Sequence, residues 1–474
     1  MGFPPTSASV LHWLLISVPV PAAAAPGDVV ARRETRPVES SGDAADDLCV
    51  WLHPTDAAQS LIIGTDKDNG LEIYSLTGQR LQTLADGDMN NVDLRYDFLL
   101  GGARIDLVAS TQRSLNTIAL YRVAPDAARD FGRPFLENVA ARDVFFLHEG
   151  YGCCLYRSPV TGKVFFFATT KEGIVEQYLL FDNGMGRVDG RLVRSFDVGG
   201  TCEGCIADDH YGTLFVSQED DAIWSYGAEP GDRDTRILVD TVGPGGHLDS
   251  DVEGLSIYQT PDGAGYLLAS SQGSDNFVVY DRRQPYAYVQ TFQIVAGATI
   301  DGVTNTDGID VVNVPFGATF PNGCFIAHDG ENDLENSNFK LVDWPDIALL
   351  QNPALRVDTR WDPRSATRNP IRLYSIPKGR CVVNEFVTFH LDDGELPNQA
   401  PFFLRFGLEL SADARHVENS FTIFADVTDN NGKWHSPSLS VPPELAGLTF
   451  FLQPVVQNGL GAFQFGLVYP VHVE

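Results

Sequence analysis

The stretch TCEGCIADDHYGTLFVSQED, residues 201–220, sets Glu203, Asp208, Asp209, Glu219 and Asp220 close together in a chain whose formal net charge is already −30. Carboxylates at this density repel one another unless a cation sits among them. Acidic loops leading into short apolar runs return elsewhere, with Asp46 and Asp47, Asp93, Asp221, Asp251 and Glu253, Asp301, Asp307 and Asp310, Asp329 and Glu331. Neutral oxygens from Asn90, Asn91, Gln272 and Asn332 accompany them. Hard oxygen donors without histidine or thiolate select calcium or magnesium over zinc, and an irregular carboxylate and carbonyl shell favours calcium. For any one of these residues a solvated acidic rim is the simpler account, so a site requires that the loops converge. No EF-hand is present: in DKDNG, Gly70 follows Asp66 too early, and Thr77 stands where the closing Glu belongs.

Cations are sparse in these loops. Lys67 in GTDKDNG, Arg113 in STQRSLNT and Lys171 in TTKEG each follow a strand-like run at comparable places. Singly each is an ordinary surface charge. Together, beside a cation-binding cluster, they suit an anion, because Arg and Lys hold phosphate oxygens. A polyanionic substrate follows from that pairing. No C-x5-R, RHG or G-x-S-x-G nucleophile motif occurs, which leaves a metal-activated water as the attacking group.

The elements that must position these residues are strands. SLIIGT, GLEIYSL, KVFFFAT, GTLFVS, GYLLASS and NFVVYD are strand-length, rich in β-branched or aromatic residues, and bounded by Gly, Asp and Asn. No long run has a 3.6-residue apolar period, so the chain is expected to be all-β. The loop type recurs at YGCCLY, CEGCIADD, VEGLSIY and TDGIDVV, whose Gly152, Gly204, Gly254 and Gly308 lie 52, 50 and 54 residues apart. NNVDLRY and ADDLCVW continue the series toward the N-terminus. Repeats of about 50 residues with about four strands each predict a six-bladed β-propeller, in which equivalent loops meet at one end of the central channel. The alternative, unrelated hairpins in a sandwich, leaves the repetition unexplained.

The propeller is expected over 26–358. Residues 361–474 carry 12 acidic and 8 basic side chains, which places −26 of the net charge in the first 360. The acidity therefore belongs to the propeller. After the polar linker RWDPRSATRNP, the runs NEFVTFHL, FFLRFGLEL, SFTIFADVT, LTFFLQPVV and FQFGLVYPV predict a small β-sandwich-like domain over 359–474. At the other end, an apolar run from Val10 to Val20 and then Ala22–Ala25 read as a signal peptide over 1–25, though no basic residue precedes Arg32. A secreted or periplasmic protein is expected, with no membrane span and as a monomer. With 33 Lys and Arg against 63 Asp and Glu, nucleic acid is excluded as a partner. The seven cysteines are an odd number, and Cys202-x-x-Cys205 reads as a tight disulfide or as buried thiols rather than a zinc site.

DAADDLCVWLHP, NNVDLRYDF, EGYGCCLYRSPVTGK, CEGCIADDHYGTLFVSQEDDAIWSYGAEP, DVEGLSIYQTPDGAGYLLASSQG, TDGIDVV and NSNFKLVDW resemble the β-propeller (alkaline) phytases, with blocks in every repeat from about 40 to 350. The resemblance implies a hydrolase that releases phosphate from phytate (myo-inositol hexakisphosphate) or other inositol polyphosphates, using several calcium ions and direct attack of a calcium-activated water. It places calcium ligands at Asp47, Tyr151, Glu203, Glu219, Asp251, Glu253, Gln272, Asp301, Asp307, Asp329 and Glu331. It places phosphate-holding groups at Lys67, Arg113 and Lys171 with Glu172 beside them. The catalytic set it implies is Glu203, Lys67, Arg113, Lys171 and Tyr151. Two departures stand out: Leu48 where the family has Pro, and Gln218 where an acid often precedes Glu219. Two other expectations compete, a calcium-dependent lactonase-type propeller hydrolase and a non-catalytic calcium-stabilised binding module. Neither needs the three cations.

Overall fold

The computed structural model describes residues 26–124, 134–159, 161–261, 263–333 and 335–364, and beyond them only the backbone of strands between Arg372 and Val473. The signal peptide expected over 1–25 lies outside the described residues. Six antiparallel sheets follow one another along the chain as the blades of a propeller. Their innermost strands are Ala45–Trp51, Met89–Leu100, Gly150–Arg157, Cys202–Asp208, Val252–Gln259 and Ile309–Val312. Each inner strand packs beside the next, and the last packs beside the first, which closes the ring. Among the described residues the one α-helix is Trp344–Ala348, and no helix is long and apolar enough to cross a membrane.

Closure uses the N-terminal segment. Gly27–Val30 adds in parallel to the outer edge of blade 5, pairing Phe292–Val295, and Arg33–Glu34 becomes the fourth strand of blade 6 beside Lys340 and Leu341. The first and last parts of the propeller chain are thus stapled by ladder hydrogen bonds, and the two sheet edges are covered. Arg32 reinforces the seam with ion pairs to Asp343 (2.9 Å) and Asp346 (2.8 Å).

The core is distributed between blades rather than gathered in one place. In Val164–Thr170, Val164, Phe166 and Ala168 pack toward blade 2, while Phe165 and Phe167 pack toward blade 4. A strand buried on both faces needs apolar residues at consecutive positions, which is why KVFFFAT lacks the alternation of a half-exposed strand.

At the end of the channel opposite the acidic loops, Arg95, Arg157, Asp209 and Asn313 line a cavity of ≈ 160 Å³ that Trp361 and Pro363 of the linker border. Arg364 fastens that linker, with an ion pair to Asp106 (2.8 Å) and its guanidinium 4.2 Å from the Tyr96 ring centroid. Beyond it, each predicted strand run contains a strand, and these pair mainly in two sheets, one of them ordered Arg380–Cys381, Tyr469–Val473, Thr449–Gln457, Pro401–Gly407 and Phe421–Val427. How those sheets pack, expected to be as a sandwich, lies outside the described residues.

Candidate active site

The inner strands begin with the same irregularity. Register slips between Ala45 and Leu48, Met89 and Val92, Gly150 and Cys153, Cys202 and Cys205, and Val252 and Leu255 put a β-bulge at the start of five blades. In blade 6, Asp307–Gly308 occupies the same place ahead of Ile309. A bulge re-aims a side chain out of the pleat. One bulge residue per blade results at the mouth: Asp46, Asn90, Tyr151, Glu203, Glu253 and Asp307. In blades 3 to 6 the repeated glycines follow immediately, while Asp47 and Asn91 hold that place in blades 1 and 2. A Cβ on Gly152 would lie 2.1 Å from the Glu203 carbonyl oxygen, and one on Gly204 would lie 2.0 Å from that of Glu253. Neither position has a left-handed φ, so glycine is required there by the approach of the neighbouring blade. Hydroxyls of the second strands complete the ring: Thr111, Thr169 and Ser217 donate to the carbonyls of Tyr151 (2.8 Å), Glu203 (2.8 Å) and Glu253 (2.7 Å) of the next blade.

The second strand of each blade runs back to this end, so the residue after it also reaches the mouth. These residues are Lys67, Arg113 and Lys171 in blades 1 to 3, and Glu219 and Gln272 in blades 4 and 5. The mouth is therefore polarised, cationic on one side and acidic on the other. Lys67 Nζ lies 2.9 Å from Asp43, 3.1 Å from Asp46 and 3.9 Å from Asp307. Lys171 Nζ sits 4.4 Å from the centre of the Tyr151 ring, with the Arg113 guanidinium 5.7 Å from it. Asn90 spans the two sides, accepting from Arg113 Nη1 (3.0 Å) and donating to Glu203 Oε1 (2.6 Å).

On the acidic side, carboxylate oxygens of Glu203, Glu219 and Glu253 all lie within 4.8 Å of one another. Burial, then the charges of Asp46, Glu253 and Asp307, pushes Glu203 well above the usual carboxylate range. Burial also raises Glu253, Asp307 and Asp46, each further by its acidic neighbours, and takes Glu219 up to about 7. Asp46 Oδ1, Glu219 Oε1 and Glu253 Oε2 are buried without a hydrogen-bond partner. Buried anions in that condition must take up protons or a cation. An all-oxygen, acidic donor set of this kind fits a hard divalent ion.

Of the other expected ligands, Gln272 donates to Asp307 Oδ1, and Asp251 lies beside Glu219, whose carboxyl its charge raises. Asp47 turns toward the channel, accepting from the Val92 amide (3.0 Å), while its neighbour Asp46 holds the mouth position. Asp301 and Asp329 form a separate group with Glu34 and Asn332 around the fully buried Lys340 ammonium, which is 2.7 Å from Glu34 and 3.1 Å from Asp329. Glu331 and Glu172 are exposed. His328 accepts from the Asp307 amide (3.1 Å) and burial pulls it down to about 3, so it is neutral there.

Four acids singled out in the sequence have other partners. Asp208 is paired with Arg282, both buried, at 2.5 Å; Asp209 and Asp93 share Arg95 at 2.9 Å; Asp310 accepts from Ser256 and Val50. For Asp208 and Asp209 of the opening stretch, the cation is arginine. The sequence carries no signal for Lys340, which sits inside a buried strand. Asp46, named among the acidic loops but outside the expected ligand set, holds the bulge position that Tyr151, Glu203, Glu253 and Asp307 hold before the repeated glycines, with Asp47 in place of a glycine.

The phytase family's sequence profile matches residues 6–369. A 3-phytase of Bacillus subtilis (strain 168) is 43% identical over 331 residues, covering 68% of this chain and 84% of that protein. Among solved structures, Chaetomium thermophilum Sqt1 superposes with a TM-score of 0.37 at 12% identity, over 66% of this chain and 88% of that one. The β-propeller domain of Myceliophteria thermophila Swd1 gives 0.35 at 12% identity, over 64% and 99%. Likenesses this distant bear on neither fold nor function. The profile match and the Bacillus relative establish that the chain belongs to the phytase family and is a phytase-type hydrolase.

Proposed function

We propose that this chain releases phosphate from phytate with calcium held at the acidic side of the mouth. The observation that carries this reading is the polarised mouth, where three buried carboxylate oxygens without partners face cations from three successive blades. Glu203, Glu219, Glu253 and Asp307, with Asp46, Asp47, Tyr151, Asp251 and Gln272 near them, would hold the metal there. Asp301, Asp329 and Glu331 would hold it at the blade 6 rim only in exchange for the Lys340 ammonium that Asp301 and Asp329 now surround. Bound calcium supplies the positive charge that offsets carboxylates and phosphates, and it lowers the pKa of a coordinated water.

The chain's own residues do the rest. Lys67, Arg113 and Lys171 receive the oxygens of one phosphate, with Glu172 at the edge, and fix it by charge-assisted hydrogen bonds. Tyr151 supports Lys171 and Arg113 from below with its ring face. Glu203, held by Asn90, orients the attacking water in line with the bond to be broken and takes up its proton. No side chain need become phosphorylated. A lactonase-type site or a non-catalytic module would not need cations on three blades.

Glu203→Gln tests the assignment. Phosphate release should fall by at least about 10²-fold with the thermal midpoint retained; a variant with wild-type turnover removes Glu203 from the mechanism. Export from the cell and a monomeric state belong to the same proposal. N-terminal sequencing of secreted protein and light scattering check them, and a retained residue 1–25 segment or a dimer mass would count against each.

A further inference from the structure

We propose that Cys154 and Cys205 are a disulfide site that ties the inner strands of blades 3 and 4 together just below the mouth. The two residues lie on adjacent inner strands, Gly150–Arg157 and Cys202–Asp208. Strand alternation turns Cys153 toward blade 2, whereas Cys154 and Cys205 share the apolar layer between blades 3 and 4 with Tyr156, Phe167 and Val216. Their sulfurs are 3.0 Å apart across 51 residues of chain. Each needs to move by only roughly half an ångström to reach the length of an S–S bond. Among the described residues this is the one contact between sulfurs. Cys202 instead donates to the Gly200 carbonyl (3.1 Å) and Cys324 to that of Phe325 (3.4 Å).

Bond formation removes one proton and one electron from each thiol. The acceptor is a small-molecule disulfide such as oxidised glutathione, which is cleaved to two thiols. One cysteine thiolate attacks it, releasing the first small thiol and leaving a mixed disulfide. The other cysteine displaces the second small thiol and closes the bridge. Both sulfurs are buried in the closed ring, out of reach of a dissolved oxidant, so the bridge forms as the blades dock. Cys154 lies three residues after Tyr151 and Cys205 two after Glu203, so the bridge fixes the spacing of two bulges that build the mouth. It also closes a long loop, which raises the thermal midpoint by roughly 5 °C.

The full chain, reduced and unfolded, is refolded in a glutathione redox buffer, its remaining thiols are alkylated, and a non-reducing digest is analysed by mass spectrometry. The expected result is a cross-linked peptide pair joining Cys154 to Cys205, absent from Cys154→Ala, and a midpoint that drops by several degrees on reduction. Alkylation of both residues, or a bridge from Cys205 to Cys202 instead, overturns the proposal. Should Cys154→Ala fail to fold, the wild-type peptide map decides alone. Neither outcome touches the phytate assignment.

Discussion

Gly204→Ala isolates the role of the bulge ring in placing the acidic side of the mouth. The new methyl carbon would lie 2.0 Å from the Glu253 carbonyl oxygen, 2.7 Å from its carbon and 3.1 Å from Ser217 Oγ. Ordinary contact requires the Glu253 backbone to retreat by roughly 1 Å or more. That carbonyl is held by Ser217 Oγ at 2.7 Å, and the Glu253 side chain belongs to the cluster with Glu203 and Glu219. The stability cost is that of an overpacked site, about 1–3 kcal/mol, so the thermal midpoint falls by roughly 2–5 °C. Turnover suffers more, because a displacement near 1 Å in a catalytic constellation costs about 10²-fold. The assay is the initial rate of phosphate release from phytate beside a thermal melt. The control is Gly231→Ala, where a Cβ meets nothing within 4 Å. A Gly204→Ala protein with wild-type rate and midpoint would refute the reasoning.

Three further outcomes follow from other parts of the site. Lys171 is exposed and rests on Tyr151, so Lys171→Met should leave the melt unchanged and raise KM for phytate about 10-fold; an unchanged KM removes Lys171 from phosphate binding. Arg282→Met leaves Asp208 buried and unpaired, which should cost about 3–5 kcal/mol and appear as a lower denaturation midpoint; a midpoint equal to wild type would contradict the pairing. Burial, then the Asp251 charge, lifts Glu219 to about 7, so the metal-free fold binds more protons than the unfolded chain. Its stabilising contribution is complete below the unfolded carboxylate range, near pH 4 to 5, and is lost as pH rises through about 7. Chelated protein should melt at lower temperature at pH 8 than at pH 5, and calcium should reverse this with release of protons. A metal-free midpoint that rises across that window would be the contrary result.

The repeat was readable because a propeller blade imposes it. Gly152, Gly204, Gly254 and Gly308 recur wherever the next blade's backbone comes too close for a Cβ, so their spacing reports the fold directly. Lys67, Arg113 and Lys171 were readable as a set for the same reason, since each follows the second strand of its blade. Partners were not readable. Asp208 looks like Glu203 in the sequence, yet the two stand at opposite ends of the strand Cys202–Asp208: one meets Arg282 in the interior, and the other meets the mouth. Lys340 was invisible because its strand reads as buried and apolar while its ammonium collects Glu34 and Asp329 from the strands on either side and Asp301 and Asn332 from loops. The closing strands were hidden too, since Gly27–Val30 and Arg33–Glu34 are defined by pairing with residues some 260 to 310 positions away rather than by pattern.

The most direct measurement is phosphate release from phytate by the purified chain at pH 7 to 8, with calcium titrated in and then withdrawn by chelator. Release that rises with calcium, stops on chelation and returns on re-addition is the predicted result. No release at any calcium concentration from a folded, calcium-binding sample would contradict the assignment of the polarised mouth to phytate hydrolysis.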